Sequence, residues 1–325
     1  MHRPIPILTL LVAALYPGAA PAIQAPASPI VSAARYSADH SGDAVLVFRH
    51  DTLVLEQYQN GYDGATPHPL ASGTKTFTCV LAALGQADGL LTLQEPVSRT
   101  IRELAADPRI GGVTIRQLLN LTSGLQSAPD GGLTLTSPPG QRFAYSGTSF
   151  GVFAEVMSRK LPGDDIVAYL TRRIFTPLGI TIGPWQRDGA GRPGLASGAS
   201  MTARAWGQFG VLLLQRGRWK GHQLISRTAL AECGKGSDAN PGYGLGVWLN
   251  AVEPAQPPSP GVERAEPSDH LIKAPALPHD LWLAAGSGGQ RLYILPSAGL
   301  VVVRFGHNTG PDYRDDAFLR ILLGQ

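Results

Sequence analysis

Ser72 and Lys75 stand three residues apart in Leu70-Ala-Ser-Gly-Thr-Lys75, where an apolar pattern of helical spacing begins. On a helix that spacing puts both side chains on one face. A serine hydroxyl becomes a nucleophile when a neighbouring base takes its proton, and a partly desolvated lysine can be that base. The start of a helix adds free backbone N–H groups and a positive dipole end facing developing negative charge. Phe143-Ala-Tyr-Ser-Gly147, after the turn Pro138-Pro-Gly140, offers Tyr145. Beside an ammonium group a tyrosine can have its proton affinity lowered enough to shuttle protons. Gly286-Ser-Gly-Gly-Gln290 is the third stretch. Glycines there mark a place where another backbone or a ligand comes close. Taken singly, each stretch has a plainer reading: a capping serine with a solvated lysine, a half-buried aromatic, and a bulge.

Two other motifs compete. Gly147-Thr-Ser-Phe-Gly151 fits the Gly-x-Ser-x-Gly nucleophile elbow, and His222, His270, His279 and His307 follow it. The residues before it form a Pro-Gly turn and a short polar segment rather than a buried strand, and no His-Gly oxyanion motif lies upstream. Ser72-Gly-Thr-Lys-Thr76 lacks the Gly-Lys-Ser/Thr order of a phosphate loop.

Nothing in the bulk composition asks for a nucleic acid or an anionic membrane. The formal net charge is +3, and losing Arg3 with a cleaved leader would leave +2, without a basic run. Met1-His-Arg3, the apolar run Ile5–Tyr16 and Ala20-Pro-Ala22 have the form of an export signal cleaved after Ala22. That run is too short to anchor in a bilayer, and no cysteine follows it to carry a lipid. The expected location is therefore outside the cytoplasm, periplasmic or extracellular, with no lasting membrane anchor. Such a compartment permits a bridge between the two cysteines, Cys79 and Cys233. Cys79 falls in an apolar helical pattern, however, and is expected to pack as a small hydrophobe. No metal-ligand spacing appears and no cofactor is expected.

The elements that must position these residues follow from periodicity. Residues 23–42 are Ala-, Ser- and Pro-rich and read as a mobile leader. Ala44–Arg49 and Thr52–Gln57 form a hairpin around His50-Asp51. Ser72 to Ala87 is helical, ending at Asp88-Gly89. From 90 to 185 the chain reads as mainly helical, with helices at Ile115–Leu121, Phe150–Arg159 and Asp164–Ile174, and Thr202–Gln215 follows. Strands return at Gly244–Leu249, Leu281–Ala285, Arg291–Leu295 and Leu300–Arg304, the last two joined by Pro296-Ser-Ala-Gly299, and Asp315–Leu323 closes as a helix. Residues 252–278 are Pro-rich and read as a long surface loop. Strands at both chain ends imply one antiparallel sheet built from both termini and flanked by helices, an α/β sandwich. The expected division is a signal peptide, 1–22, then one domain, 23–325. An α/β lobe of 40–87 plus 186–325 would carry an inserted helical lobe, 88–185.

In the order Ser-x-x-Lys, Tyr-Ser-x, Gly-rich strand, the chain resembles serine hydrolases related to class C β-lactamases and penicillin-binding DD-peptidases, nearest their esterase-like and amide-hydrolase-like branch. Thr114–Leu125, Ile174-Phe-Thr-Pro-Leu-Gly179 and Gly210–Trp219 resemble further family segments without catalytic roles. The resemblance implies that Ser72 is acylated, that Lys75 helps deprotonate it, and that Tyr145 relays the proton to the leaving group. It implies an oxyanion hole of the Ser72 and Gln290 backbone N–H groups. Ser146, Gly147, Ser287, Gly288 and Gly289 would line the substrate. Two positions depart from the family. Tyr-x-Asn is Tyr145-Ser146-Gly147, and Ser287 replaces the lysine of Lys-Thr-Gly, so a substrate carboxylate loses a charge-assisted bond. The expected partner is therefore a small ester, amide or peptide-like substrate. β-Lactam or cell-wall peptide hydrolysis and a non-turnover binding module are the alternatives.

Overall fold

The computed structural model describes residues 28–161, 163–250, 259–262, 276–307 and 313–325. The export signal and most of the Pro-rich segment 252–278 lie outside the described residues. In chain order the first elements are α1 Pro29–Asp39, β1 Gly42–Arg49, β2 Thr52–Tyr58, β3 His68–Pro69, a 3-10 turn Ala71–Lys75 and α2 Thr76–Ala87. The middle holds α3 Pro108–Gly111, α4 Ile115–Leu119, β4 Leu125–Ser127, β5 Leu133–Leu135, α5 Thr148–Lys160, α6 Ile166–Leu170 and α7 Thr176–Leu178. Then come β6 Ser200–Met201, α8 Ala203–Leu214, β7 Arg218–Trp219, β8 His222–Gln223 and α9 Arg227–Ala231. The last are β9 Trp248–Leu249, β10 Trp282–Gly286, β11 Gln290–Leu295, β12 Leu300–Gly306 and α10 Asp315–Leu323.

The main sheet runs β2-β1-β12-β11-β10-β9, antiparallel throughout, so the expected sheet from both chain ends is present. Alternation along each strand sends its side chains to two different cores. Ala44, Leu46 and Phe48 of β1, with Val301 and Val303 of β12, face α2 and α8. Val45 and Val47, with Leu300 and Val302, face α1 and α10. Each apolar side chain fully buried this way contributes about 1.5–3 kcal/mol.

Three expectations need correction. Residues 29–39 are a helix, not a mobile leader. The Ser28 side chain caps it by accepting from the Val31 N–H, and Pro29 fills the first turn, where its missing N–H costs nothing. Ala33, Ala34 and Ser37 are buried at helical spacing against the sheet, a stripe hidden by small side chains. Cys79 and Cys233 are bridged, with Cα atoms 5.6 Å apart. Both are buried as the apolar pattern required, but at one place, joining α2 to the turn after α9. Only Trp248 and Leu249 of the expected strand 244–249 pair with β10, because Gly246 turns with φ +81°. A Cβ at Gly246 would lie 2.4 Å from the Lys75 carbonyl oxygen, so this backbone packs directly on the nucleophile turn. The middle is mainly helical as expected, with one short hairpin, β4–β5, among its helices.

Candidate active site

The Ser-x-x-Lys turn is held by backbone strain on one side and burial on the other. Ala71 has φ +47°, a left-handed conformation that costs a non-glycine residue of order 1 kcal/mol and persists only where its surroundings impose it. Thr74 ties the turn down: its hydroxyl donates to the Ala71 carbonyl at 2.7 Å and accepts from the Ala199 N–H at 3.1 Å. Lys75 follows, 4% exposed. Its ammonium donates to Ser72 Oγ at 3.0 Å and to the Ala196 carbonyl at 2.8 Å. Among the described residues no carboxylate pairs with it. Its remaining neighbours are ring faces, Tyr145 at 4.8 Å and Phe150 at 5.4 Å from the nitrogen to the centroid. Burial without a counter-ion lowers its pKa to about 8.

Tyr145 reaches the same place from the segment before α5. The stretch resembling a family signature positions that segment: Ala144 N–H donates to the Leu121 carbonyl at 2.9 Å and Gly140 N–H to the Thr122 carbonyl at 2.7 Å. Leu121 itself has φ +60°. Tyr145 is 44% exposed, and its ring lies flat on Trp248, 5.3 Å between centroids at 13°. Burial raises its pKa above the ordinary tyrosine value, against the lowering effects of the nearby Ser72 hydroxyl and the Arg291 charge. The sequence-based expectation of a lowered proton affinity is therefore reversed: Tyr145 stays protonated and Lys75 is the group with a weakened hold on its proton.

The glycine strand approaches from the other side. β9 covers only Trp282 and Leu283 of β10, leaving the Ala284–Gly286 edge without a neighbouring strand among the described residues. A Cβ on Gly286 would lie 2.1 Å from the Leu70 carbonyl oxygen and 3.2 Å from Ala71 Cβ. Only glycine lets the strand come this close. The Leu281 carbonyl accepts from Asn250 N–H on the β9 side. Backbone groups alternate sides along a strand, so Gly286 C=O points toward β11 and the trans Ser287 N–H points the opposite way, out of the open edge. Gln290 is the register partner of Gly286 and directs its own N–H back into that ladder. The expected placing of the Gln290 N–H beside Ser72 is thus corrected: on this strand it is the Ser287 N–H that emerges at the open edge. Gly288 and Gly289 are the left-handed residues of the hairpin turn, at φ +77° and +86°. They face β12 rather than Ser72, since Gly289 C=O accepts from Arg304 Nη1 at 2.8 Å and Gly288 abuts Gly306 and Gln290.

Buried cations lock this turn from behind. Arg291 Nη1 donates to Gly286 C=O at 2.9 Å, and its Nε to Asp315 at 2.8 Å. The Gln290 amide donates to Gly306 C=O at 2.6 Å. Of the remaining expected residues, Gly147 precedes α5 and sits against Ala196, and Ser146 Oγ is buried without a partner among the described residues. Sequence reasoning missed the Ala196 carbonyl, Trp248, Arg291 and the buried Tyr243, whose ring meets Trp248 edge-on at 4.6 Å. The run Gly242-Tyr-Gly-Leu-Gly-Val-Trp248 was the available signal for two of them. The competing Ser149 is in the first turn of α5, 2% exposed, its hydroxyl 2.8 Å from that of Ser123. No strand leads into it. His307 is taken by Asp43, and His222 sits on the β7–β8 hairpin. His270 lies outside the described residues.

Residues 28–325 match the sequence family described as Beta-lactamase. The chain belongs to that family. A curated relative, monacolin J acid methylbutanoyltransferase of Aspergillus terreus, is 32% identical over 155 residues, 36% of this chain and 37% of the relative. The match thus spans only about a third of that protein's length. Among solved structures, a Bacillus anthracis protein assigned as a 6-aminohexanoate-dimer hydrolase superposes with TM-score 0.70 at 21% identity, over 88% of this chain and 78% of that one. D-alanine carboxypeptidase AmpC from Burkholderia cenocepacia gives 0.64 at 18%, over 91% and 96%. EstCE1, a hydrolase with promiscuous acyltransferase activity, gives 0.65 at 16%, over 90% and 96%. At these identities the likeness establishes a shared β-lactamase-type fold.

Proposed function

We propose that this member of the Beta-lactamase family is a serine hydrolase that acylates Ser72 and releases the acid of an ester or small amide. One observation carries this reading: Lys75 Nζ lies 3.0 Å from Ser72 Oγ, buried and, among the described residues, without a carboxylate to hold its charge. Neutral Lys75 accepts the Ser72 proton while Oγ forms a bond to the substrate carbonyl carbon. The oxyanion faces the N–H groups of Ser72 and Ser287. On collapse the bond to the leaving group breaks, Tyr145 gives that group a proton, and Lys75 returns one to Tyr145. Water then repeats the sequence on the acyl-enzyme, restoring Ser72 and freeing the acid. Export from the cytoplasm belongs to the same proposal, and the Cys79–Cys233 bridge supports it, since such bridges persist in oxidising compartments.

Esters and small amides are favoured over β-lactams because neither the Tyr145-Ser-Gly147 segment nor Ser287 supplies an amide or cation for a substrate carboxylate. The test is a panel of short-chain aryl esters, small linear amides, a chromogenic cephalosporin and a D-Ala-D-Ala peptide, on the wild type and Ser72→Ala. Ester or amide turnover lost in Ser72→Ala is expected. Full activity in Ser72→Ala removes the nucleophile. Turnover of the cephalosporin or peptide alone reverses the substrate preference. One stoichiometric burst without further product makes the protein a binder that acylates and stops.

A further inference from the structure

A second cavity lies at the far end of β10 from Ser287. It measures about 700 Å3, within the roughly 300–1,000 Å3 typical of small-molecule sites. Leu213, Leu230, Leu249, Trp282 and Ile294 form its walls, from α8, α9 and strands β9 to β11. Its polar lining at the mouth includes Arg216, Arg227, His279 and Asp280, all exposed. The two arginines are in no ion pair among the described residues. Asp280 is already engaged, accepting from Ser297 N–H at 2.8 Å and from its hydroxyl at 2.9 Å. An apolar chamber of this size with two unpaired guanidinium groups at its opening has the chemistry of a site for one apolar molecule bearing one anionic end. Guanidinium matches a carboxylate in particular, by paired parallel hydrogen bonds.

We propose that this cavity binds an amphipathic monocarboxylate, its apolar body against Trp282 and Leu230 and its carboxylate between Arg216 and Arg227. The site is separate from Ser72 and does not depend on the reaction assigned there. Isothermal titration with decanoate tests it. Wild type is expected to bind at one saturable site, and Ser72→Ala to bind equally well. Ala231→Trp, which places an indole in the opening from an exposed position of α9, is expected to abolish uptake. Arg216→Asn with Arg227→Gln is expected to weaken decanoate about tenfold or more, while leaving binding of uncharged 1-decanol unchanged. Asparagine is chosen because Arg216 has φ +53°, which asparagine tolerates. Unchanged melting temperature and aryl-ester turnover would show that both variants keep the fold. No saturable uptake by the wild type overturns the proposal, as does undiminished binding to Ala231→Trp. A self-association that Ala231→Trp disrupts, with no decanoate bound, would make the cavity a contact between copies and equally overturn it.

Discussion

A lysine nitrogen held between a serine hydroxyl and a carbonyl, with aromatic faces for the rest of its shell, is poor at keeping a proton. With its pKa lowered to about 8, Lys75 is mainly charged at pH 7 and neutral above pH 8. Activity limited by the base therefore rises with pH through about 8, and a kcat/KM profile on an aryl ester should show that limb. Tyr145→Phe should keep the limb and lower kcat by about 10²–10⁴-fold, the usual contribution of a positioned proton donor. An unchanged kcat would remove Tyr145 from the proton path. The same lysine carries a stability cost. Its folded pKa lies below the ordinary lysine value of 10.5. The charged form is thus disfavoured by folding, fully so below pH 8, and the penalty fades as pH rises toward 10.5. Lys75→Met should be inactive yet more stable at pH 7, by on the order of 1–3 kcal/mol once the lost bonds to Ser72 and Ala196 are set against the relief. Urea unfolding at pH 7 and pH 10 would measure it, and an equal gain at both values would contradict the argument.

The elements act by bringing backbones close. Gly286→Ala forces a methyl to within 2.1 Å of the Leu70 carbonyl, where only movement of β10 or of the nucleophile turn gives room. A shift of about 1 Å between oxyanion donor and nucleophile costs about 10²-fold in rate. The expected result is a kcat loss of that size with KM little changed and an unaltered far-UV circular dichroism spectrum; full activity would mean that the strand edge does not serve the reaction. The bridge from α2 to the turn after α9 closes a span of 154 residues. Cys79→Ser with Cys233→Ser should lower the melting temperature by on the order of 10 °C, equivalent to about 2–5 kcal/mol.

Across the whole molecule, both ends of the chain support the site from behind the sheet. Arg304 is fully buried, donating to Ser37 Oγ at 3.1 Å, to His40 C=O at 2.6 Å and to Gly289 C=O in the turn beside Ser287. It thus links α1, β12 and the Ser287–Gly289 turn. A chain starting at residue 41 would strand this charge, at about 3–5 kcal/mol for breaking a buried charge network. Its urea midpoint and its kcat should fall together. A fall in midpoint with kcat intact would show that α1 serves stability alone.

Ser72, Lys75, Tyr145, the β1–β2 and β11–β12 hairpins and α10 were legible because each rests on local pattern: spacing of three, alternation of two, a turn between two apolar runs. The helix α1 was equally local, with Ser28-Pro29 ahead of Ala33, Ala34 and Ser37, but its small side chains resemble the composition of a linker. The rest depends on contacts that no local pattern encodes. Lys75 meets Ala196 across 121 residues, and Arg304 meets His40 across 264. Sequence by itself determined which side chains are candidates for the proposed nucleophile, base and proton donor, since those proposed roles follow from side-chain chemistry and order. Only the tertiary structure decided that Lys75 has the weakened hold on its proton, that the Ser287 rather than the Gln290 N–H emerges at the open strand edge, and that the cysteines meet. Desolvation, the side of a strand on which an N–H emerges, and the distance between remote sulfurs are all properties of packing.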